Sequence, residues 1–234
     1  MSNSHIGARR KRNIRDHLFI VYTVMNSILN GTDDPVDMQI YDVVKCFDAL
    51  WLEDSMLDLF KTLPSEARDD KLSLVYRMNN DNYVAVNTAV GLTDRVNLRN
   101  VVMQGGKWGP LKCSNTIDKI GKKCVTKGEN LYTYKGRVKI MPLGMVDDLL
   151  AVARCGTESR NMNTFINNEI EMKKLRFHIP DSEGKSKCHI IHIGKKKIDC
   201  QVLKVHGFPM EEVKSYTYLG DVLSIDGKNT LNID

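Results

Sequence analysis

Met145-Val146-Asp147-Asp148-Leu149-Leu150-Ala151-Val152 sets two adjacent carboxylates between apolar residues, and its reading decides which fold to expect. Two like charges about 4 Å apart repel by roughly 1 kcal/mol in water and by several times that near a protein interior. Apolar residues on both flanks read as buried strand, where an uncompensated charge is hardest to tolerate. A divalent cation resolves the conflict, because Mg²⁺ takes oxygen ligands from one or two carboxylates together with substrate phosphates. The alternative is a polar hairpin turn that happens to contain Asp-Asp, since turns are rich in Asp for local hydrogen-bonding reasons.

A third carboxylate upstream decides between the two readings. Val36 to Asp42 reads as a short strand, followed by one helix through Ala49, Leu50, Leu52, Met56, Leu57 and Phe60. Asp42 then lies at a strand end, where a side chain can point into a cleft. Two-metal nucleotidyl transfer needs carboxylates from separate segments, holding ions roughly 3.5–4 Å apart. Asp42, Asp147 and Asp148 supply that set as catalytic and metal-binding candidates. Successive strand residues face opposite sides, so Asp147 is expected to be the direct ligand beside Asp42, with Asp148 assisting electrostatically or at longer range.

Five segments in order carry a family resemblance. They are Asp42-Val-Val-Lys-Cys-Phe-Asp48, Val102-Met-Gln104-Gly105-Gly-Lys-Trp-Gly109-Pro110-Leu111, Met145-Val-Asp147-Asp148, Lys173-Lys174-Leu175 through Lys187-Cys188, and Tyr218-Leu219-Gly220. Together they resemble the reverse transcriptase domain of a non-LTR (LINE-like) retrotransposon. Met145 stands where that family has Tyr or Phe, and Gly106-Lys107-Trp108-Gly109 departs from its commoner Asp-Pro-Leu-Ser.

The resemblance implies an RNA-directed DNA polymerase with two Mg²⁺ ions (Mn²⁺ as a substitute), an RNA template, a DNA primer and deoxynucleoside triphosphates. It implies that Gln104 and Gly105 line the nucleotide pocket and that Lys187 lies near the triphosphate. Phe47 falls where the family sets an aromatic ring beneath the incoming sugar, in the space a ribose 2′-hydroxyl needs. The competing reading makes Phe47 a core residue opening an amphipathic helix. The expected fold is α+β, a polymerase palm built on a ferredoxin-like β-α-β-β-α-β core with helices on one face, partial fingers and no thumb.

That resemblance also sets the expected organisation, a single domain truncated at both ends. Residues 1–35 are read as a remnant of the fingers, 36–60 and 100–234 as palm, and 61–99 as an insertion between them. Such truncation keeps a second function open, an inactive retroelement-derived fragment that binds nucleic acid or a protein partner. The element-level expectations are helices over Asp16–Leu29, Ser65–Asn79, Leu111–Cys124 and Glu158–Leu175, and a hairpin of Asn82–Val90 with Asp94–Met103. A second hairpin, Tyr132–Ile140 with Met145–Ala153, is expected to present the aspartates at its turn.

Composition agrees with a nucleic-acid enzyme. The net charge is +5, from 34 basic and 29 acidic residues, so placement counts for more than the total. Arg9, Arg10, Lys11 and Arg12, the run Lys119 to Lys127, and Lys173 with Lys174 and Arg176 form clusters suited to tracking a phosphate backbone. Lys195–Lys197 reads as a solvated turn. The Arg9–Arg12 run also matches a nuclear localisation signal, which suggests the nucleus. Six cysteines without CxxC pairs, and no secretory leader, lead us to expect reduced thiols in an intracellular setting. Cys188, His189, His192, Cys200 and His206 match no usual structural zinc spacing and read as decoration of two strands. No apolar stretch reaches the roughly twenty residues needed to cross a bilayer, so no membrane partner is expected.

Overall fold

The computed structural model describes residues 12–62, 64–67, 70, 73–74, 76–77, 83–97, 109–127, 131–195 and 202–227. Helix α1, Ile14–Leu29, starts two residues before the expected position because Asn13 caps it. The Asn13 side chain accepts from the Arg15 amide, and Asp16 reaches back to the Asn13 amide. Strand β1, Val36–Asp42, ends at the predicted aspartate. Helix α2, Cys46–Ala49, and helix α3, Leu52–Thr62, replace the single expected helix. The break lies at Leu50, whose extended backbone (ψ 121°) carries its side chain into the core. Leu57 and Phe60, expected on the buried face, are instead exposed.

Short strands Tyr83–Val84 and Val96–Asn97 pair around an inner ladder of Asn87–Thr88 with Gly91–Leu92, so the expected hairpin turns at Ala89–Val90. Ser65–Ala67 is a single 3₁₀ turn, and most of the remainder of the Ser65–Asn79 helix lies outside the described residues. Helix α4 spans Gly109–Thr126.

Strands β2, Leu143–Met145, and β3, Asp148–Arg154, form the hairpin that carries the aspartates. Tyr132–Ile140 does not partner β3 as expected. It folds on itself, with Thr133–Tyr134 pairing Val138–Lys139 around Lys135 and Gly136, both at positive φ. Gly136 was the turn signal there, and Pro142 separates this small hairpin from β2. Helix α5, Thr157–Met172, strand β4, His189–Ile193, strand β5, Glu211–Glu212, and the hairpin of β6, Ser215–Tyr218, with β7, Asp221–Ser224, complete the path.

The main sheet has the order β5-β4-β1-β3-β2. Strands β1, β2, β3 and β4, with α4 and α5 as crossovers, give β-α-β-β-α-β with β1 and β3 central and antiparallel. Both faces of the sheet are covered, which corrects the expectation of helices on one face only. Tyr41, Leu149, Ala151 and Ile190 pack with α2, α4 and α5. Val36, Met38, Ile40, Leu150, Val152, Ile191 and Ile193 pack on the other face with Val21, Val24, Met25 and Ile28 of α1 and with the β6-β7 hairpin. Burial on both faces explains why β1 and β3 read as nearly unbroken apolar runs.

Among the described residues no helix is long and apolar enough to cross a membrane. The expectation of wholly reduced thiols fails, because Cys46 and Cys113 form a disulfide that ties α2 to α4. Cys124, Cys155 and Cys188 lie outside any disulfide.

Candidate active site

The register of the two central strands sets Asp42 directly opposite Asp148. Residues opposed in an antiparallel pair put their side chains on one face with Cβ atoms about 4.5–5.5 Å apart. The pairing Met145↔Asp148 leaves Val146 and Asp147 as a two-residue turn at the same end of the sheet. Val146 has φ 58°, a left-handed conformation that costs a β-branched residue roughly 1–3 kcal/mol. Its half-buried side chain packs against the core, and its carbonyl oxygen lies 3.5 Å from the Cys113 sulfur. Packing from below thus holds the turn that presents Asp147.

The backbone of Asp42 is clamped from the other side. Its carbonyl accepts from the His178 amide at 2.9 Å, and its amide donates to the Cys188 sulfur at 3.5 Å. Val43 bridges Phe177, and Val44 donates to the Arg176 carbonyl. The chain then turns through Lys45, at φ 45°, into α2.

Electrostatics follow from this crowding. Burial, then the charges of Asp147 and Asp42, push the Asp148 carboxyl up to about 6. Burial and Asp42 also raise Asp147, against the pull of its own backbone amide and of Lys187. Lys187 approaches Asp42 Oδ2 to 3.3 Å, with its own side chain 61% exposed. One ammonium therefore faces three carboxylates. An all-oxygen donor set with surplus negative charge fits a hard divalent cation such as Mg²⁺ or Mn²⁺. The three are neighbours without forming a closed cage. Among the described residues, the group of three ligand atoms that all come within 4.8 Å of one another lies further down β1.

The other predicted residues fall in different places. Phe47 is half-buried against the core below α2. Gln104, Gly105, Arg9, Arg10 and Lys11 lie outside the described residues, and Arg12 is exposed. Lys173 donates to Asp58 at 3.0 Å, a carboxylate that Lys119 also engages. Lys122 pairs with Asp118, and Lys123 and Lys127 with Glu169, so the Lys119–Lys127 cluster is largely neutralised within the fold. Lys174 lies 3.9 Å over the Trp51 ring. With Arg176, His206, Val44 and Phe177 it lines a cleft of about 650 Å³ beside the end of β1.

Two further residues lie at the site, Cys188, which the sequence marked only as strand decoration, and Tyr216, which it did not mark. Cys188 lies beneath Asp42, and burial raises its thiol to about 11. Burial, with Asp148 and Asp42 nearby, raises the Tyr216 hydroxyl to about 12. The signal for Tyr216 was its place two residues before Tyr218 in one strand, hence on the same face.

Comparison with solved structures bears on the fold. The chain matches apo telomerase from Candida tropicalis truncated from the C-terminal domain, with TM-score 0.60 and 15% identity, over 97% of this chain and 41% of that one. It also matches telomerase from Candida albicans in complex with a TWJ fragment of telomeric RNA, with TM-score 0.61 and 14% identity, over 94% of this chain and 34% of that one. The chain has a reverse-transcriptase-like fold. It spans about two fifths or less of the telomerase chains it matches. No protein-family model matches it, and neither does any curated protein sequence.

Proposed function

We propose that this chain is an RNA-directed DNA polymerase domain of the non-LTR retrotransposon kind, adding deoxynucleotides to a primer 3′-hydroxyl on an RNA template. The observation that supports it is the cross-strand pair Asp42–Asp148 with Asp147 on the adjoining turn, set on a reverse-transcriptase-like fold. The sheet of β1 to β4 with α4 and α5 then serves as the palm, and the carboxylate end of β1 and β3 faces the substrates. Asp42 and Asp147 would hold two Mg²⁺ ions, with Asp148 adding charge from across the strand pair. Bound there, divalent ions lower the pKa of the primer hydroxyl and offset charge on the departing pyrophosphate.

The chain's own residues do the rest by positioning. Lys187, exposed and paired with Asp42, swings to the triphosphate when a nucleotide arrives. Phe47 blocks the 2′-hydroxyl. Lys174 and Arg176, on the cleft beside β1, contact the backbone of the RNA template or DNA primer. The telomerase of Candida albicans was solved with RNA, a partner of the class proposed here.

The test is primer extension on RNA with Mg²⁺ and each nucleotide class, beside Asp147→Ala. Extension by deoxynucleotides that the variant abolishes supports the reading. Binding to the primed template without extension favours the second reading, a nucleic-acid-binding module without catalysis, to which the Asp42–Lys187 ion pair lends support by occupying the first carboxylate.

A further inference from the structure

The lower half of β1 carries a second cluster of metal-ligating side chains, and the activity proposed above does not use it. Asp37 is the register partner of His192 on β4, and β3 runs on its other side as far as Arg154. Cys155 follows at once, and its amide donates to the Pro35 carbonyl, which turns it back toward β1. Three segments adjacent only in the folded sheet thus deliver a carboxylate, an imidazole and a thiol to one point.

The geometry is compact. His192 Nδ1 lies 2.9 Å from Asp37 Oδ1, Cys155 Sγ lies 3.3 Å from the same oxygen, and Cys155 Sγ lies 3.3 Å from His192 Nδ1. A tetrahedral zinc ion with ordinary Zn–N, Zn–O and Zn–S bonds holds its donor atoms about 3.4–3.6 Å apart. The observed triangle is smaller by a few tenths of an ångström. Hydrogen bonds account for two of its sides, with His192 Nδ1 and Cys155 Sγ each donating to Asp37 Oδ1, and leave the third, Sγ to Nδ1, without a proton of its own, because Nδ1 carries one proton or one lone pair. The side chains of His192 and Asp37 are only 9% and 10% exposed, so these two are held in place before any ligand arrives, with the half-buried Cys155 beside them. His192 and the neighbouring Gly194 also line a cleft of about 810 Å³, with Pro35, Glu212 and Lys214 on its walls. Of the three side chains, His192 is the one on its wall.

We propose that Asp37, Cys155 and His192 bind one zinc ion per chain, with solvent as fourth ligand, pinning β1, β4 and the end of β3 together. The thiolate and imidazole select zinc over magnesium, which prefers oxygen donors. Asp37 lies five positions before Asp42, so the site lies roughly 16 Å along the strand from the three aspartates. It stands whether or not the chain polymerises. On binding, the Cys155 thiol releases its proton to solvent. Of the histidines and cysteines clustered late in the sequence, only His192 takes part. Its partners are 155 and 37 residues away along the chain, out of reach of any spacing rule.

The test uses the purified full chain. Elemental analysis after dialysis against excess Zn²⁺, followed by desalting, is expected to give one zinc per chain. The chelator-stripped protein loaded with Co²⁺ is expected to show thiolate-to-metal charge-transfer absorption with tetrahedral d–d bands. Cys155→Ser removes the charge-transfer band and weakens zinc binding at least tenfold, and His192→Ala does likewise. Added Zn²⁺ raises the thermal midpoint of the wild-type chain and leaves that of Cys155→Ser unmoved. Substoichiometric zinc with no cobalt–thiolate band in the wild type overturns the proposal, and that readout needs no variant to fold. A band that persists in Cys155→Ser overturns it as well, by assigning the metal to another cysteine.

Discussion

Asp42, Asp148 and Asp147 share one sheet end through strand register and a two-residue turn, and the side chains around them have separable effects. Phe47 lies five residues after Asp42, half-buried against the core. Phe47→Val is expected to keep the fold and admit ribonucleotides during primer extension. Unchanged sugar selectivity in an active variant removes Phe47 from that role. Lys112 makes a different kind of statement. It is 1% exposed on α4, its Nζ has no hydrogen-bond partner among the described residues, and burial pushes its ammonium down to about 8. The unfolded chain holds the proton up to about 10.4. Between those values the unfolded state binds more protons, so this lysine makes stability rise with pH there, and its full penalty is present below about pH 8. Lys112→Met is expected to stabilise the fold by about 2–3 kcal/mol at neutral pH, and the gain shrinks toward pH 10. Urea unfolding of both proteins at pH 7 and pH 10 measures it. A gap that does not change with pH contradicts the assignment.

At the scale of elements, the disulfide between α2 and α4 is the link that sequence patterning missed. Cys46 and Cys113 are 67 residues apart, and only the packing of α2 on α4 brings them together. Closing a loop of that length stabilises a fold by about 4 kcal/mol through the unfolded chain. Reductant, or the Cys46→Ser/Cys113→Ser pair, is therefore expected to lower the urea midpoint. An unchanged midpoint under reductant shows that the bond is absent in solution. Where a local signal existed, the sequence could be read closely. Helix α1, strand β1 and helix α4 fall within a few residues of expectation, because apolar periodicity and flanking turn residues mark them. The break at Leu50 carries no Pro or Gly and arises from the core's demand for one side chain. The partner of β3 was misassigned for a related reason. Tyr132–Ile140 alternates like a strand, but the Lys135-Gly136 turn closes it on itself.

At the scale of the whole molecule, sheet order unites what the sequence keeps apart. Asp42 meets Asp148, and Asp37 meets His192 and Cys155, only because β1 lies between β3 and β4. No spacing along the chain announces either grouping, and the family resemblance supplied only the first. The second face of the sheet is the other feature that needed the fold. Met25 of α1 is fully buried against Met38, Leu150 and Ile191, so Met25→Ala is expected to cost about 2–5 kcal/mol. Leu57→Ala, at a side chain 51% exposed, should stay within about 0.5 kcal/mol. Chemical denaturation ranks the two, and equal losses contradict the two-sided core.

The central claim is that Asp42, Asp147 and Asp148 act as one oxygen-ligand cation site. Mn²⁺ binding followed by electron paramagnetic resonance tests it without requiring turnover. The wild-type chain is expected to bind Mn²⁺ in competition with Mg²⁺, Asp42→Asn and Asp147→Asn each to weaken that binding at least tenfold, and Cys155→Ser to leave it unchanged. Mn²⁺ affinity that is the same in the wild type and in both aspartate variants contradicts the claim.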